Sequence, residues 1–218
     1  MTIPGDRIHS PEVRARAGAP LESARAVTVL VHGRGDSANG ILGLATVVDA
    51  PDVAFLAPEA HLNVWYPHTF LAPPEQNEPW LSSALTAVDA VVRTATDAGV
   101  PREKVVLLGF SQGACLVSEY AARKGGRFGG VVALSGGLIG DAVERSRYAA
   151  SLDGTPAFFG CSDVDPYIPV GRVHESAALY RELGAEVEER IYPGFAHSVN
   201  QDEVDWWQAL LDGLTSGA

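Results

Sequence analysis

The residues at 109–113 read Gly-Phe-Ser-Gln-Gly, which matches the pattern G-x-S-x-G around Ser111. In this pattern a sharp turn from a buried strand into a helix raises the serine hydroxyl above a sheet, and the glycines relieve crowding in the turn. The apolar run 105–108 precedes the turn, and a helical stretch at 114–122 follows it. This context predicts that Ser111 is a nucleophile for acyl transfer. In the alternative interpretation the serine only caps the helix.

A serine nucleophile needs a neighbouring base, and the base needs a third group that fixes its tautomer. With this motif the chain order is serine, acid, histidine, and only His174 and His197 follow Ser111. His174 falls inside a helical pattern, where we expect it to face solvent. His197 falls in a turn after an apolar strand, where catalytic groups of parallel sheets gather. We therefore predict His197 as the base.

Two carboxylates, Asp163 and Asp165, could supply the acid, because both follow the strand predicted at 156–160. Asp165 precedes a proline, which favours an extended conformation and allows its side chain to turn toward His197. In an extended turn Asp163 would point the opposite way. We predict Asp165 as the acid and expect Asp163 to accept hydrogen bonds from N–H groups of its own turn.

The run Val-His-Gly-Arg-Gly-Asp at 31–36 follows the first long apolar strand. Acyl transfer places negative charge on a carbonyl oxygen, so two preorganised donors are needed, usually backbone N–H groups. The predicted donors are the N–H of Gln112, directly after the nucleophile, and that of Arg34. We expect His32 to shape this loop through hydrogen bonds rather than to transfer protons.

Short apolar runs alternate with helical patterns along the chain, which predicts one α/β domain over residues 1–218 with a mostly parallel sheet covered by helices on both faces. Residues 1–24 are less clear, and an antiparallel edge hairpin is one interpretation. The predicted strands are Ala26–Val31, Val53–Ala57, Val105–Gly109, Gly130–Leu134, Pro156–Gly160 and Glu186–Tyr192.

The longest unpatterned stretch covers residues 58–79, and a loop of this length in a compact domain is usually functional. We expect this 58–79 loop to wall the substrate pocket, with His61 and His68 lining or flanking it. The predicted wall residues are Trp65, Tyr66, Phe70, Leu71 and Trp80.

The net charge of −11, from 27 acidic and 16 basic residues, disfavours binding to nucleic acid or to anionic membranes. Apolar runs are far shorter than the roughly 20 residues of a membrane helix, so stable membrane insertion is not expected. Two cysteines do not make a disulfide framework, and neither has metal-ligand neighbours, so we expect no metal. Without a recognisable signal peptide, the expected location is the cytoplasm.

Four segments together resemble the phospholipase/carboxylesterase family of the α/β-hydrolase superfamily, which includes the acyl-protein thioesterases. They are HGRGD (32–36), GFSQGA (109–114), DVDPYIP (163–169) and YPGFAHSVNQDE (192–203). The resemblance implies a triad of Ser111, Asp165 and His197, with Arg34 and Gln112 as backbone oxyanion donors and no cofactor. The stretch WYPHTFL at 65–71 looks like bacterial carboxylesterases rather than eukaryotic thioesterases.

The expected function is therefore hydrolysis of small-molecule esters with short to medium acyl chains. Only residues 135–155 separate two predicted strands, too few for the large lid domain of true lipases. A thioesterase or small-amide hydrolase would share this machinery, because fold and triad do not determine the leaving group. A non-catalytic ligand-binding protein of the same fold is a further alternative, and a homodimer is possible.

Overall fold

The computed structural model describes residues 8–149 and 151–216. A seven-stranded sheet in the order β1-β3-β2-β4-β5-β6-β7 forms its centre. All neighbouring strands run parallel, except that β1 is antiparallel to β3. The strands are β1 (Ala15–Gly18), β2 (Ala26–Val31), β3 (Val53–Ala57), β4 (Val105–Phe110), β5 (Gly130–Leu134), β6 (Pro156–Ser162) and β7 (Glu186–Tyr192).

All six predicted strands form, and two of them extend further at their carboxyl ends. β4 includes Phe110, which pairs with β5, and β6 includes Cys161 and Ser162, which pair with β7. The edge hairpin suggested for residues 1–24 is not formed within residues 8–24. Residues 8–24 contain the single strand β1, which pairs with β3 rather than with a hairpin partner; residues 1–7 lie outside the described residues.

Helices follow most strands, and their apolar faces meet the sheet. α2 ends before Gly99, whose φ of +94° suits glycine, and α5 begins with the predicted capping box of Asn200 and Glu203. α1 was not predicted; Ser37 caps this short helix. The helices are α1 (Ala38–Leu42), α2 (Trp80–Asp97), α3 (Gln112–Lys124), α4 (Val170–Glu182) and α5 (Gln201–Thr215).

The sheet separates two apolar cores, because successive strand residues point to opposite faces. On β4, Val105 and Leu107 face the core beneath α2, α3 and α4. Val106 and Leu108 face the other core, beneath α1 and α5. The predicted parallel sheet with helices on both faces is therefore confirmed.

No large lid domain covers the sheet in the part of the chain that is described. Between β5 and β6 those residues form loop structure with one 3₁₀ turn, Arg145–Arg147. Across the same residues, none of the helices is both long enough and apolar enough to span a bilayer.

Candidate active site

Ser111 lies in the tight turn between β4 and α3, with φ 55° and ψ −118°. Backbone angles of this kind cost a non-glycine residue about 1–3 kcal/mol, and they persist only where the surroundings impose them. Two hydrogen bonds do so here. The Ser111 N–H donates to the Leu134 carbonyl on β5 at 2.9 Å, and the Ser111 carbonyl accepts from Cys115 N–H at 3.0 Å.

The two glycines of the motif are required by close backbone approach. A Cβ on Gly109 would stand 2.3 Å from the Gly113 carbonyl carbon and oxygen, and a Cβ on Gly113 would stand 2.0 Å from the Val31 carbonyl oxygen. Because Gly109 and Gly113 have no side chains, the start of α3 can approach the carboxyl end of β2. The turn that carries Ser111 is thereby brought next to the loop that follows β2.

His197 connects Ser111 to Asp165 through two short hydrogen bonds. Its Nε2 lies 2.9 Å from Ser111 Oγ, and its Nδ1 lies 2.6 Å from Asp165 Oδ2. The other carboxylate oxygen, Oδ1, accepts from the backbone N–H groups of Tyr167 at 2.9 Å and Ile168 at 3.0 Å. The sequence prediction that these three side chains come together agrees with this geometry.

The side chain of Asp165 is fully buried. Burial favours the neutral acid, but the hydrogen bonds from His197, Tyr167 and Ile168 outweigh it and hold the pKa of Asp165 below its usual value. An ionised carboxylate at Nδ1 requires the proton there. Nε2 is then left free to accept the proton of the Ser111 hydroxyl.

Asp163 has a different partner from the one expected. Its Oδ1 accepts from the Gly194 N–H at 2.7 Å, in the loop that carries His197, and the Val164 N–H of its own turn is bound by Ser162 Oγ. The sequence could not show this, because the partner lies 31 residues away. Asp163 therefore ties the acid turn to the His197 loop.

The predicted oxyanion donors, Arg34 and Gln112, line the same cavity as Ser111. Gln112 is the first residue of α3, so its N–H has no intrahelical acceptor. Among the described residues, none accepts a hydrogen bond from the Arg34 N–H. The residue before Arg34 approaches Ser111 closely, since a Cβ on Gly33 would lie 3.4 Å from Ser111 Cβ.

The side chain of Gln112 has a second role that the motif does not reveal. Its Oε1 accepts from Trp65 N–H at 3.0 Å, and its Nε2 donates to the Tyr66 carbonyl at 2.9 Å. His32 acts structurally, as expected. Its Nδ1–H donates to the Gly33 carbonyl, and its Nε2 accepts from Ala60 N–H. The side chains of Gln112 and His32 both hold the 58–79 loop beside Ser111.

A cavity of about 570 Å³ opens beside Ser111, and residues 66–70 of the 58–79 loop form one side of it. Of the predicted wall residues, Tyr66 and Phe70 line this cavity. His68 lines it as well, whereas His61 packs against Trp80.

Three predicted wall residues need correction, since Trp65, Leu71 and Trp80 lie outside the cavity lining. Trp65 is fully buried, and its indole N–H donates to the His32 carbonyl at 2.9 Å. Trp80 packs against His9, and Leu71 packs against the core. These apolar side chains attach the loop to the domain, a use that the sequence does not distinguish from lining a pocket.

Two cavity residues missed by the sequence analysis are Phe110 and Tyr167, whose ring centroids lie 4.9 and 5.0 Å from that of His197. Phe110 lies in the segment GFSQGA and Tyr167 in the segment DVDPYIP, and these positions next to the predicted triad could have indicated that both residues line the site. Cys115 also lines the cavity, and burial raises its pKa to about 12, so it is a poor nucleophile. In the described ranges no three His, Cys, Asp or Glu side chains are grouped to hold a metal ion.

Comparison with known proteins places this geometry in context. The chain is 38% identical to a phospholipase/carboxylesterase from Dyadobacter fermentans, whose crystal structure superposes with a TM-score of 0.89 over 93% of this chain and 97% of that one. It is 26% identical to acyl-protein thioesterase 1 of Saccharomyces cerevisiae over 212 residues, covering 87% of this chain and 93% of the yeast protein. The corresponding protein of Debaryomyces hansenii is 28% identical over 212 residues, with 87% and 91% coverage.

The family match extends over residues 14–213, which includes every strand, every cavity residue and most of α5. The relatives and structural neighbours are carboxylesterases and thioesterases. The predictions of an α/β-hydrolase fold and of a hydrolase are thereby confirmed. The chain belongs to the phospholipase/carboxylesterase family of α/β hydrolases.

Proposed function

We propose that this enzyme hydrolyses carboxylic esters of short to medium acyl chain length through an acyl-enzyme on Ser111. The observation that carries the proposal is the continuous hydrogen-bond chain from Asp165 through His197 to Ser111 Oγ, at 2.6 and 2.9 Å, beside a cavity of about 570 Å³. A nucleophile, a base held in one tautomer and a space for the substrate therefore meet at one point.

In the proposed first step, Ser111 Oγ attacks the ester carbonyl carbon while His197 Nε2 takes the hydroxyl proton. The carbonyl oxygen becomes an oxyanion, and the backbone N–H groups of Gln112 and Arg34 stabilise it. A single donor of this kind is typically worth about 2.7–4 kcal/mol in the transition state. His197 then gives its proton to the leaving alcohol, and the acyl group remains on Ser111.

In the second step a water molecule replaces the alcohol. His197 Nε2 takes a proton from the water, whose oxygen attacks the acyl carbon, and the same two N–H groups bind the second oxyanion. Collapse of this intermediate breaks the bond to Oγ, and the proton on Nε2 returns to the serine. The products are a carboxylic acid and regenerated enzyme. Asp165 stays ionised and stabilises the transient imidazolium.

The cavity supports the proposed chain length. Its volume lies within the range of small-molecule sites, and aromatic side chains such as Tyr66 and Phe70 border it. Long-chain lipids would need an extended apolar channel beyond this space. The predicted small-molecule substrate, cytoplasmic location and possible homodimer complete the proposal.

Acyl thioester hydrolysis is a second candidate, because the two yeast relatives are acyl-protein thioesterases. The same attack would expel a thiol instead of an alcohol. A panel of p-nitrophenyl esters and acyl thioesters, each from C4 to C16, separates the two candidates with purified protein. We expect the highest kcat/KM for C4–C8 oxygen esters. A clear preference for C16 would contradict the proposed chain length, and a thioester preference would favour the second candidate.

A further inference from the structure

Arg34 is an exposed residue of the cavity lining, and other residues of the protein engage only part of its guanidinium. Its Nη2 donates to the carbonyls of Tyr66 at 2.7 Å and His68 at 3.0 Å, which hold the guanidinium in place. A guanidinium has five N–H donors. The three on Nε and Nη1 have no acceptor, and no carboxylate forms an ion pair with the group, in the stretches of chain that are described.

Asp36 is the acidic residue of the cavity lining, and it forms no ion pair with Arg34 in the part of the chain that is described. A Cβ placed on Gly40, in α1, would stand 1.8 Å from Asp36 Oδ1, so this carboxylate packs against the helix. Asp165 is buried behind His197, and its carboxylate already accepts hydrogen bonds from His197, Tyr167, Ile168 and Cys161. The remaining ionisable side chains of the lining are imidazole, phenol and thiol groups rather than carboxylates: His68, His197, Tyr66, Tyr167 and Cys115. Arg34 therefore presents a fixed positive charge in the cavity of a protein with a net charge of −11.

Such a group matches a carboxylate, which an arginine binds through two parallel N–H donors. A negatively charged protein repels anions at long range, so it can prefer an anionic substrate only through a local cation. If Arg34 served solely to brace the 58–79 loop, Nη2 alone would suffice, and substrate charge would not matter.

We propose that the site selects esters carrying a carboxylate, and that the Arg34 side chain makes the selection. The inference rests on the proposed function and specifies its substrate class. Arg34 then acts twice: its backbone N–H serves the oxyanion, and its side chain binds a distant part of the substrate. The two roles are separable, because only the second depends on substrate charge.

Two matched pairs of substrates test the proposal. Monomethyl adipate and its ω-amide place the carboxylate or its neutral isostere on the acyl side. The pair 3-acetoxybenzoate and 3-acetoxybenzamide places it on the alcohol side. The readout is the ratio of kcat/KM within each pair, which cancels changes in the oxyanion site or the loop because both members react through the same carbonyl chemistry.

For the wild-type protein we expect a ratio above one in one of the pairs. Arg34→Gln should lower that ratio roughly tenfold to hundredfold, the range of a hydrogen bond to a charged group. The ratio for Arg34→Lys should lie between those of the wild type and Arg34→Gln, because lysine keeps the positive charge but lacks the planar guanidinium. Arg93→Gln removes the same charge from α2, outside the cavity lining, and should leave the ratio unchanged.

Circular dichroism first establishes that each variant is folded, and the wild-type ratio requires no variant at all. Ratios at or below one in both wild-type pairs would overturn the proposal, as would an unchanged ratio in folded Arg34→Gln. Hydrolysis of the neutral esters tests the proposed function separately. Its absence would count against that function, whereas its presence without charge selectivity would count only against this inference.

Discussion

Replacing Asp165 with asparagine exchanges one carboxylate oxygen for an NH₂ group and reverses the direction of a hydrogen bond at the centre of the proposed mechanism. In the native site Oδ1 accepts two backbone N–H groups, and Oδ2 accepts the Nδ1–H of His197. The orientation of the new amide is therefore determined. Its oxygen must face the N–H groups of Tyr167 and Ile168, because the opposite orientation would break both hydrogen bonds and turn the amide NH₂ toward two other N–H donors.

The amide NH₂ then faces Nδ1 and donates to it. The imidazole must carry its proton on Nε2, so it cannot accept the proton of the Ser111 hydroxyl. In a serine protease the corresponding exchange lowers kcat about 10⁴-fold, which is about 5 kcal/mol of transition-state stabilisation. We expect a loss of the same order for Asp165→Asn, and no comparable loss of folding stability, because the two backbone hydrogen bonds survive.

Asp163→Asn is the matched control. Its Oδ1 accepts one hydrogen bond, from the Gly194 N–H, and an amide oxygen can accept the same bond, so kcat should change less than threefold. Both variants are compared by steady-state hydrolysis of p-nitrophenyl butyrate at equal folded concentration. The reasoning fails if Asp165→Asn keeps a tenth of wild-type kcat, or if Asp163→Asn is the more damaged variant.

Two further predictions concern the turn and the last helix. Gly113→Ala should abolish activity or folding, because its Cβ would stand 2.0 Å from a backbone oxygen. The control Gly171→Ala on α4 should be tolerated, because its Cβ meets no atom within 4 Å. Equal activities and melting temperatures of the two variants would contradict the packing argument. Burial raises the pKa of Glu203 to about 7 despite the hydrogen bond from the Asn200 N–H, whereas the pKa in the unfolded state is near 4.5. The folded state therefore binds this proton more tightly than the unfolded state does. The free energy of unfolding should accordingly fall as pH rises from about 4.5 to 7. Glu203→Gln keeps the cap and should therefore gain on the order of 1–3 kcal/mol relative to wild type between pH 5 and pH 8 in urea unfolding; parallel pH profiles for the two proteins would refute this.

The strands were predictable because residues buried on both faces of a parallel sheet form continuous apolar runs. The proposed triad also has local signals, such as the glycines around Ser111 and the proline after Asp165. The functions of Asp163 and of the Gln112 side chain depend on partners 31 and 46 residues or more away, and no local pattern records such distances. Trp65 illustrates the same limit, because an aromatic side chain that anchors a loop and one that lines a pocket look identical in sequence.

Mass spectrometry after reaction with a fluorophosphonate tests whether Ser111 is the nucleophile. We expect one adduct per chain, located by peptide mapping on Ser111. Labelling should be lost in Ser111→Ala and strongly slowed in His197→Ala, since the base can no longer take the hydroxyl proton. An adduct on any other residue, or a folded Ser111→Ala that still labels and still hydrolyses esters, would contradict this assignment.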